Sequence, residues 1–400
     1  MVEKECVSKR EYFLPHEDML EILENSRKFR TGVLSGQAAA EYRVPLTPES
    51  AGLLGSFGHT VHIESGAGMA ANYSDDEYRK AGAVVTTRAD VLTCDVVLSL
   101  PPLSEQETSL MSGQQTVFTE FILPDFSAAT IRQMMSKKIT AVAYELLEDD
   151  SGSKPIVDLT SQMAGITAVS VAAEYLSKSR NGKGTLLGGV TGISPTEVLV
   201  IGATPVAEYV ARAAGGMGAH VRIFDNNVLR LHNIETRLGR PTSTSVLHPA
   251  ALSKAMRSAD VVIATTAESI PNRFLAPKEL VQRMKKGAVI IDLDVIHGGC
   301  FETSRRTTLQ QPAYETFGVI HYCVPNITAL VARTASIAMS NVIAPLIIGI
   351  GETGGILPYL KATKGFRKGV YLYNGVLTRL SLGSQLNLPV TAIDLLLDVL

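Results

Sequence analysis

Residues 197–225 read EVLVIGATPVAEYVARAAGGMGAHVRIFD, and this stretch decides the fold. The apolar run Val198–Ile201 predicts a buried strand, and Gly202 predicts a tight turn after it. An alanine-rich segment typical of a helix follows, and the run His220–Phe224 predicts a second strand that leads to Asp225. A strand, a helix and a strand in so short a span form the unit of a parallel sheet, so the stretch predicts an α/β domain.

The turn in this unit follows the dinucleotide-binding pattern G-x-G-x-x-G/A in part. Gly202 takes the first position, Thr204 the second and Ala207 the third. In the pattern, the first glycine makes the turn, the second lets the backbone approach a pyrophosphate, and the third allows close helix packing. Asp225 follows about 20 residues later, where a carboxylate accepts ribose hydroxyls and repels a 2′-phosphate. The unit therefore predicts a Rossmann-type site for NAD rather than NADP.

Thr204 is the defect in this pattern, because its β-branched side chain stands where the pyrophosphate comes closest. The sequence leaves open whether Thr204 permits NAD to bind. In an alternative interpretation, Gly202 serves only a strand-to-helix turn and Asp225 only caps its strand.

Alternation of strands and helices extends through two parts of the chain. The first series runs over residues 31–144 and the second starts at Glu197, while residues 162–177 between them predict one long helix. A chain of 400 residues exceeds the usual size of one domain. We therefore predict an α/β fold with two Rossmann-like domains, parallel sheets flanked by helices and a cleft between them. The predicted boundaries place 1–180 and 335–400 in one discontinuous domain and 181–334 in a central dinucleotide-binding domain.

The composition argues against several classes of partner. The chain has 37 basic and 39 acidic residues and a net charge of -2, without a basic stripe for nucleic acid or an anionic membrane. Its four cysteines lie far apart, without the spacing of a metal site or a disulfide framework. The N-terminus lacks the apolar core of a secretory signal. We expect a cytoplasmic protein that binds small molecules, with no metal, nucleic acid or membrane partner.

The most apolar stretch is Ser336–Ile350, which contains Pro345. It is shorter than the ~20 residues that a membrane helix needs. We therefore interpret it as a buried helix rather than a membrane span.

Six short runs give the chain a family resemblance. They are residues 41–48 (EYRVPLTP), 64–68 (ESGAG), 161–165 (SQMAG), 184–189 (GTLLGG), 298–304 (GGCFETS) and 320–326 (IHYCVPN). On these runs the chain resembles the alanine dehydrogenases and, more distantly, the nucleotide-binding subunit of proton-translocating transhydrogenase. The likeness extends over about residues 31–378.

The resemblance implies a substrate domain formed by both ends of the chain around a central Rossmann domain, with the active site in the cleft. Family members interconvert alanine and pyruvate with NAD and ammonia, and many are homo-oligomers, so a dimer or a hexamer is expected. The family arginine that binds the substrate carboxylate corresponds to Arg43, and the asparagine near the nicotinamide corresponds to Asn326. These matches imply a small carboxylate-bearing substrate. An interdomain salt bridge is the alternative role for Arg43.

Three other functional positions of the family are not matched. The family lysine falls at Leu100 or the adjacent Pro101, the catalytic histidine at Ile122, and the aspartate before the glycine pair at Ile296. Each replacement removes a group that moves protons, and one such group typically contributes ~10²- to 10⁴-fold in rate. The resemblance thus implies activity towards alanine that is impaired or altered.

Other ionisable residues lie near the lost positions. Glu120, Asp294 and His297 are candidate substitutes, although His297 is also explained as a loop histidine bonded to the backbone. The sequence leaves open whether the chain is catalytically active. One alternative is a pseudoenzyme, that is, a non-catalytic nucleotide-binding or scaffold protein derived from the family. The other alternative is a transhydrogenase-like hydride-exchange module.

Overall fold

A computed structural model gives the fold of five segments of the chain, residues 26–36, 40–121, 126–239, 242–265 and 275–399. Ile122 lies outside these described residues, and so does most of the polar segment that precedes the first strand. The strands and helices below are numbered within the described segments.

The first sheet has eight strands in the order β15-β14-β6-β5-β4-β1-β2-β3. They are β1 (Arg30–Val33), β2 (Thr60–Glu64), β3 (Val84–Thr86), β4 (Val96–Leu98), β5 (Thr116–Thr119), β6 (Thr140–Ala143), β14 (Val370–Tyr373) and β15 (Val376–Leu377). Strands β1 to β6 are parallel, whereas β14 runs antiparallel to both β6 and β15. The C-terminal part of the chain thus extends the sheet that the N-terminal part begins.

The second sheet has seven strands in the order β12-β13-β11-β10-β7-β8-β9. They are β7 (Glu197–Ile201), β8 (His220–Phe224), β9 (Ser243–Ser245), β10 (Val261–Ala264), β11 (Val289–Asp292), β12 (Ala313–Thr316) and β13 (Val319–Tyr322). All neighbours are parallel except β12 and β13. The predicted fold of two Rossmann-like units is confirmed, with the correction that each sheet carries an antiparallel edge.

Helices flank both sheets. They are α1 (Pro48–Ser56), α2 (Asp75–Lys80), α3 (Arg88–Val91), α4 (Glu105–Leu110), α5 (Ala128–Ser136), α6 (Pro155–Leu176), α7 (Pro205–Gly216), α8 (Val228–Leu238), α9 (Pro249–Ser258), α10 (Lys278–Gln282), α11 (Ala332–Glu352), α12 (Ile356–Ala362), α13 (Lys364–Arg367), α14 (Leu380–Leu386) and α15 (Ile393–Val399). Short 3₁₀ helices cover Met69–Ala71, Tyr144–Leu146, Lys178–Arg180, Val295–His297 and Ile327–Val331. The boundaries at 180 and 335 remain predictions.

Helix α6 begins earlier than the sequence pattern predicts, because Pro155 takes the first helical position, where its missing N–H costs nothing. The helix packs closely on α7 at Gly165. A Cβ at this position would lie 2.7 Å from the Cβ of Tyr209 and 2.8 Å from the carbonyl oxygen of Val206. The small residue is therefore what allows α6 to contact the helix that follows the dinucleotide-binding turn.

Helix α11 contains the apolar stretch predicted as a buried helix, but it continues through Pro345 to 21 residues. By length and composition alone, Pro155–Leu176 and Ile327–Glu352 are both long and apolar enough to cross a membrane. In the fold, 50% and 56% of their most apolar windows are buried inside the protein. This burial is typical of the core helices of a soluble protein.

The α6–α7 contact predicts that Gly165→Ala destabilises the fold by about 1–3 kcal/mol, because the added methyl overpacks a tight helix crossing. Gly55→Ala in α1 is the matched control, since nothing lies within 4 Å of a Cβ there. This control should be neutral or more stable by up to about 1 kcal/mol. Urea unfolding measures both, and equal shifts for the two variants would contradict the packing assignment.

Candidate functional site

A cleft lies where the carboxyl ends of the two sheets face each other. Its volume is about 260 Å³, and it receives residues from the loop after β1, the end of β5, helix α6 and the segments that follow β11 and β13. The carboxyl ends of parallel strands are the usual place for ligand sites in α/β proteins. The described lining residues are Arg43, Glu120, Thr160, Ser161, Ala164, Val206, Leu293, Ile296, Pro325, Asn326, Ile327 and Thr328.

Arg43 lines this cleft and is bonded to two carboxylates of its own chain. Its side chain is only 4% exposed. The Nε and Nη2 atoms donate to the two carboxylate oxygens of Glu41, each at 2.8 Å. Nη2 also donates to Oε1 of Glu120 at 2.5 Å. These three residues form the Arg43 cluster, in which a buried guanidinium is neutralised by charge-assisted hydrogen bonds.

Asn326 joins the second sheet to the Arg43 cluster. Its Nδ2 atom donates to Oε2 of Glu41, and its Oδ1 atom accepts the hydroxyl of Thr328 at 2.7 Å. Hydrogen bonds at both its nitrogen and its oxygen thus fix the orientation of the Asn326 amide. Arg43 and Asn326, which the sequence indicated separately, both bond to Glu41. Glu41 was not among the residues predicted from the sequence.

Glu120 of the cluster and the neighbouring Glu145 are two carboxyls with raised pKa values. Burial raises the pKa of Glu120, the charge of Glu41 raises it further, and Arg43 opposes both effects. Burial, followed by the charge of Glu120, raises the pKa of Glu145 to about 7. Glu145 Oε1 accepts the backbone N–H of Phe121, and its Oε2 is buried without a described partner. Both carboxyls therefore keep their protons to higher pH than ordinary glutamates do.

The positions at which the resemblance implies the family lysine and aspartate differ in their surroundings. Leu100 is 2% exposed and packs in the hydrophobic core of the first sheet, while Ile296 lines the cleft. Of the candidate substitutes, only Glu120 is among the lining residues. Asp294 and His297 bond to each other instead, with Oδ1 and Nδ1 2.8 Å apart, and this contact raises the pKa of His297.

The dinucleotide-type turn has the backbone that its glycine predicts. Gly202 adopts φ of 100°, a left-handed conformation that favours glycine. Thr204 caps helix α7, because its Oγ1 accepts the N–H of Ala207 at 3.4 Å and donates to Oγ1 of Thr265 at 2.9 Å. Thr265 in turn donates to the carbonyl of Gly202 at 2.9 Å. The side chains of Thr204 and Thr265 thus form hydrogen bonds within the turn. This network was not predicted from the sequence.

Asp225 is 6% exposed and holds the same turn from the other strand. One carboxylate oxygen accepts the N–H of Ala203 and the other accepts the N–H of Asn227, both at 2.7 Å. A carboxylate oxygen has more than one lone pair, so these bonds leave acceptor capacity. A pocket of about 420 Å³ adjoins the turn, and its described lining includes Thr204, Thr265, Arg230, Asn233 and Arg237.

Cys94, Cys300 and Cys323 are buried, and no disulfide joins them within the described segments. Within the same segments, no group of three or more His, Cys, Asp or Glu residues is placed to hold a metal ion.

Two Rossmann-like sheets, a glycine turn with a strand-end aspartate and a cleft between the sheets define a two-domain α/β protein of the dinucleotide-binding class. The chain belongs to the alanine dehydrogenase/PNT family. The N-terminal domain of that family matches residues 32–167, and its C-terminal domain matches residues 168–379.

Known proteins resemble the chain over nearly its whole length. It is 34% identical to the alanine dehydrogenase of Mycolicibacterium smegmatis, covering 88% of this chain and 95% of that protein. It is 35% identical to the alanine dehydrogenase of Methanococcus maripaludis, with the same two coverages of 88% and 95%. A solved L-alanine dehydrogenase structure superposes with a TM-score of 0.79 at 34% identity, covering 90% of this chain and 99% of that one.

The transhydrogenase side of the family is also represented. The transhydrogenase structure from Sinorhizobium meliloti superposes with a TM-score of 0.72 at 25% identity, covering 88% of this chain and 99% of that one. The resemblance to both groups, inferred from six short runs, is thereby confirmed.

The raised pKa of Glu145 predicts a pH-dependent stability. The folded protein holds this proton more tightly than the unfolded chain, so stability falls as pH rises from about 4.5 to about 7. Glu145→Gln removes the charge and keeps the acceptor for Phe121. We expect it to flatten this slope and to stabilise the protein on the order of 1–3 kcal/mol at about pH 8, with little effect at about pH 4.

Urea unfolding across that pH range measures the slope. Glu315→Gln on β12 is the matched control, because this glutamate is exposed and its substitution should leave the slope unchanged. A Glu145→Gln slope equal to that of the unmodified protein would contradict the assignment.

Proposed function

We propose that the chain is an NAD-dependent oxidoreductase of the alanine dehydrogenase family in which alanine–pyruvate interconversion is strongly reduced. The observation that carries this proposal is the Arg43 cluster. The resemblance implies that Arg43 binds a substrate carboxylate. In the structure, however, the Arg43 guanidinium is bonded to Glu41 and Glu120. The small carboxylate-bearing substrate expected from the sequence therefore competes with the protein's own side chains.

The donor geometry of Arg43 makes this competition specific. A guanidinium has five N–H donors, one on Nε and two on each Nη atom. Glu41 and Glu120 together use the Nε donor and both donors of Nη2. A second bidentate carboxylate needs one Nη2 donor, so it must displace Glu120. The approach of a third negative charge to one positive charge is also unfavourable in a buried site.

The proton-transfer groups of the cleft support reduced alanine chemistry. Apolar side chains occupy two of the family positions, at Leu100 and Ile296. Glu120 is the ionisable acid among the described lining residues, and burial raises its pKa above that of an ordinary glutamate, which strengthens it as a proton acceptor. We assign Glu120 as the substitute proton-transfer group in place of the Asp294–His297 pair.

The residues around the turn fit a dinucleotide. The left-handed Gly202 removes a side chain from the close approach, and Asp225 keeps acceptor capacity for ribose hydroxyls. Arg230 and Arg237 border the adjoining pocket and provide positive charge for phosphates. Asn326 lies in the cleft, where the resemblance implies the nicotinamide. NAD, when bound, supplies a hydride acceptor, and family membership supports it as the cofactor.

We further propose that residues 1–180 and 335–400 form the substrate domain and that 181–334 form the cofactor domain. The sheet composition supports this division, because β14 and β15 complete the first sheet while β7 to β13 form the second. A cytoplasmic location and a homo-oligomer of two or six subunits remain part of the proposal.

A second candidate is a nucleotide-binding protein without chemistry. The burial of Leu100 in the hydrophobic core favours this candidate. The side chain at this position is part of the packing of the sheet. Tight binding of NAD without turnover of any substrate distinguishes this candidate from an oxidoreductase.

We predict that calorimetry detects NAD and NADH binding to the full chain, while alanine-dependent NADH formation is lower than in an alanine dehydrogenase by ~10²-fold or more. Pyruvate with ammonium should be equally poor in the reverse direction. The control is an alanine dehydrogenase with ordinary activity in the same buffers. Absence of nucleotide binding would contradict the cofactor assignment, and ordinary alanine turnover would contradict the role of the Arg43 cluster.

The turn yields a separate prediction for Thr204. Thr204→Gly removes the side chain closest to the expected pyrophosphate and also removes a helix cap, so NAD affinity should rise while stability falls by a few tenths of a kcal/mol to about 1 kcal/mol. Thr204→Ser keeps a capping hydroxyl and serves as the control. Calorimetry and thermal unfolding measure the two effects, and unchanged affinity in Thr204→Gly would show that Thr204 does not obstruct the cofactor.

A further inference from the structure

The Arg43 cluster carries more negative than positive charge once Glu120 has lost its proton, a loss that the raised pKa of Glu120 moves to higher pH. The cluster then has one positive and two negative charges, which leaves a net charge of -1. Arg43 and Glu120 are the charged residues among the described lining of the cleft, and the polar remainder consists of hydroxyls and the amide of Asn326. The site is therefore complementary to a positively charged group rather than to a carboxylate.

The two glutamates of the cluster differ in access. The side chain of Glu41 is 8% exposed and bonds to Arg43 through both oxygens and to Asn326. The side chain of Glu120 is 25% exposed, lines the cleft and bonds to Arg43 through one oxygen. Both carboxylate oxygens of Glu41 are thus engaged by Arg43 and Asn326. The carboxylate of Glu120, by contrast, lines the cleft and can contact a ligand.

We propose that the cleft binds a small amine without a free α-carboxylate, whose ammonium group pairs with Glu120. This proposal rests on the proposed oxidoreductase function and specifies its substrate class. An amide, an ester or an alkyl group takes the place of the carboxylate that an amino acid carries. The cleft volume of about 260 Å³ limits the substrate to a small molecule.

The reaction that follows is the oxidation of an amine by NAD. The C–H bond next to nitrogen breaks and its hydride passes to NAD⁺, and the resulting iminium is hydrolysed by water. In balance, R₂CH–NH₃⁺, NAD⁺ and H₂O give R₂C=O, NADH, NH₄⁺ and H⁺. Before hydride loss the ammonium must lose a proton, and Glu120 is placed to accept it.

The pairing with Glu120 also has a local electrostatic reason. Arg43 cannot fully neutralise two carboxylates, and the repulsion from Glu41 helps to raise the pKa of Glu120. A cationic substrate relieves this repulsion, whereas an anionic substrate adds to it. The same charge pattern therefore favours amines and disfavours amino acids.

Three ligands with one common core test the proposal. Alanine, alaninamide and isopropylamine share the CH₃–CH–NH₂ unit and differ in the third substituent, which is a carboxylate, a neutral amide or a methyl group. We expect alaninamide and isopropylamine to bind the NADH-saturated protein at least tenfold more tightly than alanine, as measured by calorimetry. With NAD, their rates of NADH formation should exceed that of alanine. Equal or tighter binding of alanine would overturn the proposal.

Glu120→Gln separates recognition from general damage to the fold. The variant lacks the negative charge and keeps the shape, so it should lose at least tenfold in affinity for isopropylamine and gain affinity for alanine. The matched control Glu315→Gln should change neither affinity. An unchanged preference in Glu120→Gln would overturn the pairing, provided that NAD affinity and thermal unfolding show an intact fold. Should the Gln variant not fold, Glu120→Asp, which keeps the charge, must retain the amine preference.

Failure of this proposal is distinguishable from failure of the proposed function. If NAD binds and alanine is nevertheless the preferred ligand, the substrate class is wrong and the oxidoreductase assignment stands. If neither NAD nor NADH binds, the oxidoreductase assignment is wrong and the amine oxidation is wrong with it.

Discussion

The buried guanidinium of Arg43 sets the constraint on which the rest of the cleft depends. A charge removed from water must be paired and hydrogen-bonded, and breaking such a pair typically costs about 3–5 kcal/mol. Glu41 supplies one partner from the same segment, and Glu120 supplies a second from the end of β5. Asn326 then bonds to Glu41 from the other sheet. One positive charge thereby fixes the relative positions of three segments that line the cleft.

Two aspartates at strand ends of the second sheet, Asp225 and Asp292, hold loops in place through backbone N–H and hydroxyl donors. Asp225 accepts two backbone N–H groups and holds the turn after β7. Asp292, which is fully buried, accepts the N–H of Cys300 at 2.8 Å and the hydroxyl of Ser304 at 2.6 Å, and so holds the loop that contains the glycine pair. Asp225 and Asp292 thus satisfy loop donors, whereas Glu120, which follows β5 of the first sheet, remains partly available to a ligand.

The sequence predicted the architecture well, because hydrophobic periodicity is a local property and two series of alternating strands and helices are legible in it. It did not predict the antiparallel edges, since β12 and β14 are short strands whose direction depends on pairing between distant segments. The nearness of Glu41 to Arg43 was visible in the motif EYR. The contact between Arg43 and Glu120 was not, because it depends on how β5 lies beside the loop after β1.

Leu100, where the resemblance implies a lysine, lies next to the candidate proton-transfer group Glu120, so the charge at one position affects the other. The backbone N–H of Glu120 donates to the carbonyl of Leu100 at 2.9 Å, so the two segments are adjacent. The resemblance implies a lysine at the first of these positions, and a lysine there adds a second cation next to the carboxylates. With leucine in the hydrophobic core, Arg43 alone must balance Glu41 and Glu120. On our proposal, the lysine that the resemblance implies and the second carboxylate belong to one charge balance, so that leucine in place of lysine favours a cationic ligand and reduces the capacity for proton transfer.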